Sequence, residues 1–222
     1  MKDLLKATSI EDFNKLLSSF KCNQCYRRED MWIHNNIEYP VSLEGNKHCD
    51  VLFINHHIDI DSIDNGHHLK EENLQVLTTG FKMFFKDITY GVISLTPCGV
   101  NPVTKKEIDI CSPLLYKQID LIKPKVIITL GLEASKKLFG YIKGKMKDIV
   151  KEHDYYIAED DSIPMYAMYS PEYLNRLMEL DRFPDEFTTT FISILQHIKD
   201  SKCLQNPIQS PNLAKQNNSP SI

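Results

Sequence analysis

Val126 to Leu130 (VIITL) is a β-branched run bounded by Pro124 and Gly131. It is too short for a helix and apolar on both faces, so it needs cover on both sides, the pattern of a central parallel strand. Upstream, Ile108, Cys111, Leu115, Ile119 and Ile122 recur every three to four residues and line one face of a helix. Pro124 stops that helix, and Pro113 inside it marks a kink or its true first turn. Leu132 to Phe139 then starts a second helix. The result is an αβα unit with a cysteine inside its first helix.

The same periods extend the unit in both directions. Ser9 with Asp12 reads as a helix cap ahead of Phe13, Leu16, Leu17 and Phe20, and Trp32 to Tyr39 as an irregular or edge-strand segment. Val51 to Asn55 and Tyr90 to Leu95 read as buried strands. Between them Leu74, Leu77, Phe81, Phe84 and Phe85 recur at helical spacing. Thr104 with Glu107 is a capping box that opens the Cys111 helix. A strand at Met165 to Tyr169 and helices beyond Pro171 and over Asp185 to Ile198 complete a βαβαβαβα order. That order predicts a three-layer α/β/α fold around a central, mostly parallel, four-stranded sheet.

One domain over residues 1–200 is expected, followed by a polar tail over 201–222 whose Ser, Asn, Gln and Pro cannot offset the entropy of ordering. The formal net charge of -4 gives no global basic signature, so any contact with DNA requires a local basic patch. No basic-then-apolar leader and no run of about 20 apolar residues is present, so the expectation is a cytoplasmic protein without membrane contact. In that compartment six cysteines are read as thiols or metal ligands rather than disulfides.

Four of the cysteines form a pattern. Two residues separate Cys22 from Cys25, 72 separate Cys25 from Cys98, and 12 separate Cys98 from Cys111. A CxxC turn brings two sulfurs to one side, and a second pair from a strand end and the following helix completes a four-thiolate site. Such a site suits a 4Fe-4S cluster or tetrahedral zinc, and the spacing alone does not decide. Cys49 and Cys203 have no such partner, and scattered buried thiols remain the plain alternative.

These residues resemble the iron-sulfur (family 4) uracil-DNA glycosylases. Lys123 to Gly140 is similar to that family's R-P-K-V-I-hydrophobic-x-L-G-x-x-A-x-x-x-L-x-G run, and Pro164 to Arg176 to its P-hydrophobic-x-x-x-x-H-P-S-Y-L-x-R segment. The resemblance runs from about Cys22 to Ile198 and implies a uracil-DNA-glycosylase-like fold with a structural 4Fe-4S cluster on Cys22, Cys25, Cys98 and Cys111. In the family the cluster ties the N-terminal segment to the DNA-facing side.

The contact points depart from the family. Its G-E-x-P-G motif falls on Asn55-His56-His57-Ile58-Asp59, without the glycines that let backbone approach a base. Ser94 stands where the resemblance puts a uracil-reading Asn, and Ser170 where it puts a charge-stabilising His, while Pro171, Tyr173, Leu174 and Arg176 remain. These departures point to a degenerate DNA-binding or replication/transcription accessory factor, with Asn55, Ser94, Ser170, Pro171, Tyr173 and Arg176 facing DNA. Tyr173 and Leu174 match the family's base-displacing wedge, and Arg27, Arg28, Lys105 and Lys106 are candidate phosphate contacts. The competing reading is an active glycosylase with Asp59 as the acid and His56 or His57 as donor in a rebuilt HHIDID loop. A protein-interaction module that never touches DNA is the third. The Asn-, Lys- and Ile-rich composition fits an AT-rich bacterial or phage genome.

Overall fold

A computed structural model describes residues 1–25, 40–58, 62, 66–99, 103–140, 144–150, 155–157, 163–179 and 185–204. Its centre is four parallel strands, β2 (Val51–Asn55), β3 (Tyr90–Ser94), β4 (Val126–Leu130) and β6 (Ile163–Met168), standing in the order β3-β2-β4-β6. The four-stranded parallel core has the expected fold class. A short antiparallel strand at each edge widens it to six: β1 (Glu44–Gly45) on β3 and β5 (Tyr155–Ile157) on β6. Gly45 takes φ +90, and a side chain there would meet the Tyr90 carbonyl at 2.5 Å, so this edge tolerates no larger residue.

Alternation along the strands separates two cores. Val51, Phe53, Val126, Ile128 and Leu130 point to one face, which α3 (Glu71–Phe84) and α8 (Asp185–Asp200) cover with Leu77, Phe81, Phe191, Ile194 and Ile198. Leu52, Ile54, Ile93 and Ile127 point to the other, packed under α2 (Ile10–Leu17) and α4 (Lys105–Ile122) with Phe13, Leu17, Ile108, Leu115 and Ile119. Both faces of the central strands are therefore dry, which is why their sequences alternate in direction without alternating in polarity. The short helices α1 (Lys2–Leu5), α5 (Leu132–Leu138) and α6 (Met146–Ile149) and the nine-residue α7 (Pro171–Glu179) complete the layers. Leu204 is buried in the first core, so packing persists past residue 200. The tail beyond it and the 32–39 segment lie outside the described residues. Among the described residues no helix is long and apolar enough to cross a membrane.

Helix α4 has defined ends. The Thr104 hydroxyl accepts from the Glu107 amide, and the Glu107 carboxylate accepts from the Thr104 amide at 2.7 Å and from its hydroxyl at 2.8 Å. At the other end Lys123, unable to stay helical before Pro124, turns left-handed at φ 50 and its amide bonds the Ile119 carbonyl. Pro113 sits inside the helix rather than at its start. Because Glu107 is only 2% exposed, losing the cap strands a buried carboxylate. Thr104→Ala is expected to lower unfolding free energy by about 1–2 kcal/mol, measured by urea denaturation; an unchanged midpoint would show that the cap contributes nothing.

Candidate functional site

The strand order reverses between β2 and β4, so the crevice at their carboxyl ends is the natural ligand position in a sheet of this kind. Asn55, His56 and His57 leave β2, Ser94 closes β3, Gly131 follows β4 and Ser170 follows β6. Gly131, at φ +85, donates its amide to the Met168 carbonyl at 2.7 Å, and a Cβ there would lie 3.2 Å from that of Ser170. The β4 and β6 ends are thus held together without room for a side chain.

Inside the β2 and β3 ends the polar groups satisfy one another. Asn55, 1% exposed, donates its amide to the carbonyls of His57 at 2.7 Å and His68 at 3.4 Å, while its own oxygen accepts from the His56 amide. The His68 ring, also 1% exposed, bridges the Ser42 carbonyl through Nε2 and the Ser94 hydroxyl through Nδ1, both at 2.9 Å. A carbonyl only accepts, so Nε2 carries the proton. Burial holds the His68 pKa well below the ordinary histidine value, so the ring is neutral and Nδ1 accepts from Ser94. Glu44 anchors the segment from outside, taking the His68 amide at 2.8 Å and His67 Nδ1 at 2.9 Å. Asn55 and Ser94 are therefore inside the protein and hydrogen-bonded to its own loop.

A second chain of groups runs toward the surface. Glu172 lies 3.5 Å from His57 Nε2, and His57 Nδ1 lies 3.3 Å from His56 Nδ1. With the His57 Nε2 proton directed to the carboxylate, Nδ1 accepts from His56, which leaves His56 Nε2 as a lone pair. That atom is buried and has no hydrogen-bond partner among the described residues. Burial first, then the adjacent His57, push the His56 pKa down to about 4 against an opposing pull from Glu133. Asp59 and Asp61, expected beside these histidines, lie outside the described residues.

Cys22, Cys25 and Cys98 lie within electrostatic reach of Cys111. Cys98 sits in the Thr96–Gly99 turn after β3, Cys111 faces inward from α4, and α1 and α2 pack on α4 and deliver Cys22 and Cys25. Burial raises the Cys111 thiol pKa, and Cys98, Cys22 and Cys25 are near enough to raise it further. Thr96 Oγ1, buried two residues from Cys98, has no hydrogen-bond partner among the described residues. By donor chemistry four thiols suit a thiolate-held group, although among the described residues no three His, Cys, Asp or Glu side chains are gathered around a single ion position. Cys49 is apart from this set, buried against Gly91 with its pKa pushed up to about 12.

Pro171 is buried at the start of α7, whereas Tyr173 and Arg176 are exposed on it. Arg176 shares a surface pocket with Glu172 and Glu179. Lys105 and Lys106 are exposed on the first turn of α4, and Arg27 and Arg28 lie outside the described residues. His68, Glu44 and Glu172 are the participants that sequence reasoning missed. The His67-His68 pair was visible, but nothing local shows that one ring turns inward.

Fold and site together define a doubly covered α/β/α domain whose polar groups cluster at the strand carboxyl ends, with four thiols alongside. Residues 44–196 match the family model of the Uracil DNA glycosylase superfamily, and the chain belongs to that superfamily. It is also 31% identical over 100 residues to the Type-4 uracil-DNA glycosylase of Sulfurisphaera tokodaii, a stretch covering 40% of this chain and 45% of that protein. The match thus spans under half of that relative's length.

The depressed histidines have a consequence for stability. His56 and His68 take up protons in the unfolded chain below an ordinary pKa of 6.5, but in the folded chain only at lower pH. Stability is therefore full above about pH 6.5 and falls as pH drops toward the folded values, by at most about 1.4 kcal/mol per pH unit for a fully buried group. His68→Asn is expected to flatten this fall between about pH 6.5 and 5, whatever it does to stability at neutral pH. Urea midpoints across the range test it, and a variant curve parallel to that of the wild type would count against the buried neutral ring.

Proposed function

We propose that this protein is a DNA-binding accessory factor built on the uracil-DNA-glycosylase fold, acting in the cytoplasm beside a replication or transcription protein, and that it does not excise uracil. The observation that carries this reading is the commitment of Asn55 and Ser94 to His57 and His68. A flipped base needs an open pocket with unpaired donors and acceptors. Here those positions are filled by the chain's own loop. Ser170 offers no cation to the departing base, which removes a main source of transition-state stabilisation. Lys105 and Lys106, with Arg27 and Arg28, supply phosphate contacts.

Cys22, Cys25, Cys98 and Cys111 would hold a 4Fe-4S cluster, with zinc as the alternative. The neighbouring thiols raise the pKa of Cys111, so their thiolate forms repel and need a cationic centre to coexist. Its contribution is structural: it would staple the N-terminal segment to the β3 turn and α4.

A second reading, an active glycosylase on uracil or another damaged base, is favoured by the Glu172, His57 and His56 chain and its idle Nε2. Single-turnover excision on uracil-containing single- and double-stranded DNA separates the two, using anaerobically purified protein of known iron content. The expected result is DNA binding without abasic product. Abasic product that disappears in His56→Ala would establish the second reading instead. In the same preparations iron and sulfide are expected at about four each per chain, and Cys111→Ser should lose both; one zinc and no sulfide would replace the cluster.

A further inference from the structure

A cavity of about 450 Å³ opens on the β4 and β6 side of the crevice, lined among others by Gly131, Leu132, Lys145, Lys147, Tyr169 and Tyr173. None of the groups in the Asn55, Ser94 and His68 network lines it, whereas Ser170 and Tyr173, both expected to face DNA, do. Tyr173 stacks on Tyr169 with ring centroids 5.5 Å apart and planes 21° from parallel. The lower ring is 8% exposed and belongs to the core, whereas the upper ring is 46% exposed. The pair is therefore a fixed aromatic platform with its outer ring open to a ligand.

The cationic side of the cavity comes from α6. Lys145 and Lys147 are both exposed, and among the described residues no carboxylate forms an ion pair with either. The nearby acid, Asp148, is turned back on the backbone, where it accepts from the Lys145 amide at 3.3 Å. An open aromatic face beside two unmatched cations, in a space of ligand size, selects a planar group carrying negative charge.

We propose that this cavity holds one unpaired nucleotide of single-stranded DNA, its base stacked on Tyr173 and its phosphates against Lys145 and Lys147. In a duplex both faces of an internal base are covered by its neighbours, so only an unpaired base can extend the Tyr169–Tyr173 stack. This deepens the DNA-binding reading and rests on it: a single strand is held beside a base pocket that the chain itself fills.

Fluorescence anisotropy with a labelled thymine-only single strand and a duplex of equal length, across a salt series, tests the assignment. Tyr173 is exposed, so its replacement leaves the fold intact, which melting curves check. Tyr173→Ala is expected to weaken single-strand binding about 5- to 150-fold and duplex binding by much less, while Tyr173→Phe retains the wild-type affinity. Lys145→Ala with Lys147→Ala is expected to lower the slope of log affinity against log salt by about 1.4 on the single strand. Equal losses on both DNA forms, or a Tyr173→Phe variant as weak as Tyr173→Ala, would overturn the stacking role. Wild-type affinity in every variant removes this site while leaving DNA binding in place. A wild-type protein that binds neither DNA removes both.

Discussion

The pairing of β2 with β4 is the constraint on which the rest depends. Val51 to Ile54 register against Val126 to Thr129, and every residue in these two segments is buried. Two strands that are dry on both faces can exist only with helices above and below, so the pair dictates the three layers. It also dictates where the chain reverses direction across the sheet, because β3 is added on one side and β6 on the other. The crevice that follows is therefore a result of core packing. The residues leaving β2 and β4 inherit that position whatever chemistry they carry.

What they carry here is mostly self-satisfied. A buried amide, hydroxyl and imidazole each require partners, since an unpaired polar group in the interior costs about 1–3 kcal/mol. Asn55, Ser94 and His68 meet that requirement through backbone carbonyls and one another. A ligand entering the same place would have to replace several bonds at once. By contrast, His56 Nε2 remains unmatched, and the two lysines of the neighbouring cavity are likewise without carboxylates among the described residues. Polar capacity is saturated at the centre of the crevice and available at its margins.

The sequence disclosed the elements whose pattern is local. The runs at 51–55, 90–94 and 126–130 are apolar and bounded by breakers, and the Thr104 to Ile122 helix announces both its cap and its stop. Edge strands of two and three residues, Glu44–Gly45 and Tyr155–Ile157, carry no period and were invisible. The departures at Asn55, Ser94 and Ser170 were readable against a family pattern, but what fills their place was not. His68 turns inward because Ser42, Glu44 and Ser94 meet it from two other stretches of chain. Equally, Glu172 becomes a partner of His57 only because α7 starts over the end of β2.

The cysteine group and the histidine loop are mechanically joined. Cys98 occupies a turn closed by the Gly99 amide on the Thr96 carbonyl, and the Gly99 carbonyl accepts from the Ile58 amide at 2.9 Å. The Pro97 carbonyl in the same turn accepts from the Val41 amide, and Val41 precedes Ser42, whose carbonyl holds the His68 ring. One turn thus sits between the thiols, the His56-His57 loop and the strand that positions His68. The 96–99 turn is therefore shared by the thiol-bearing segment and the crevice, and a displacement of it would move both.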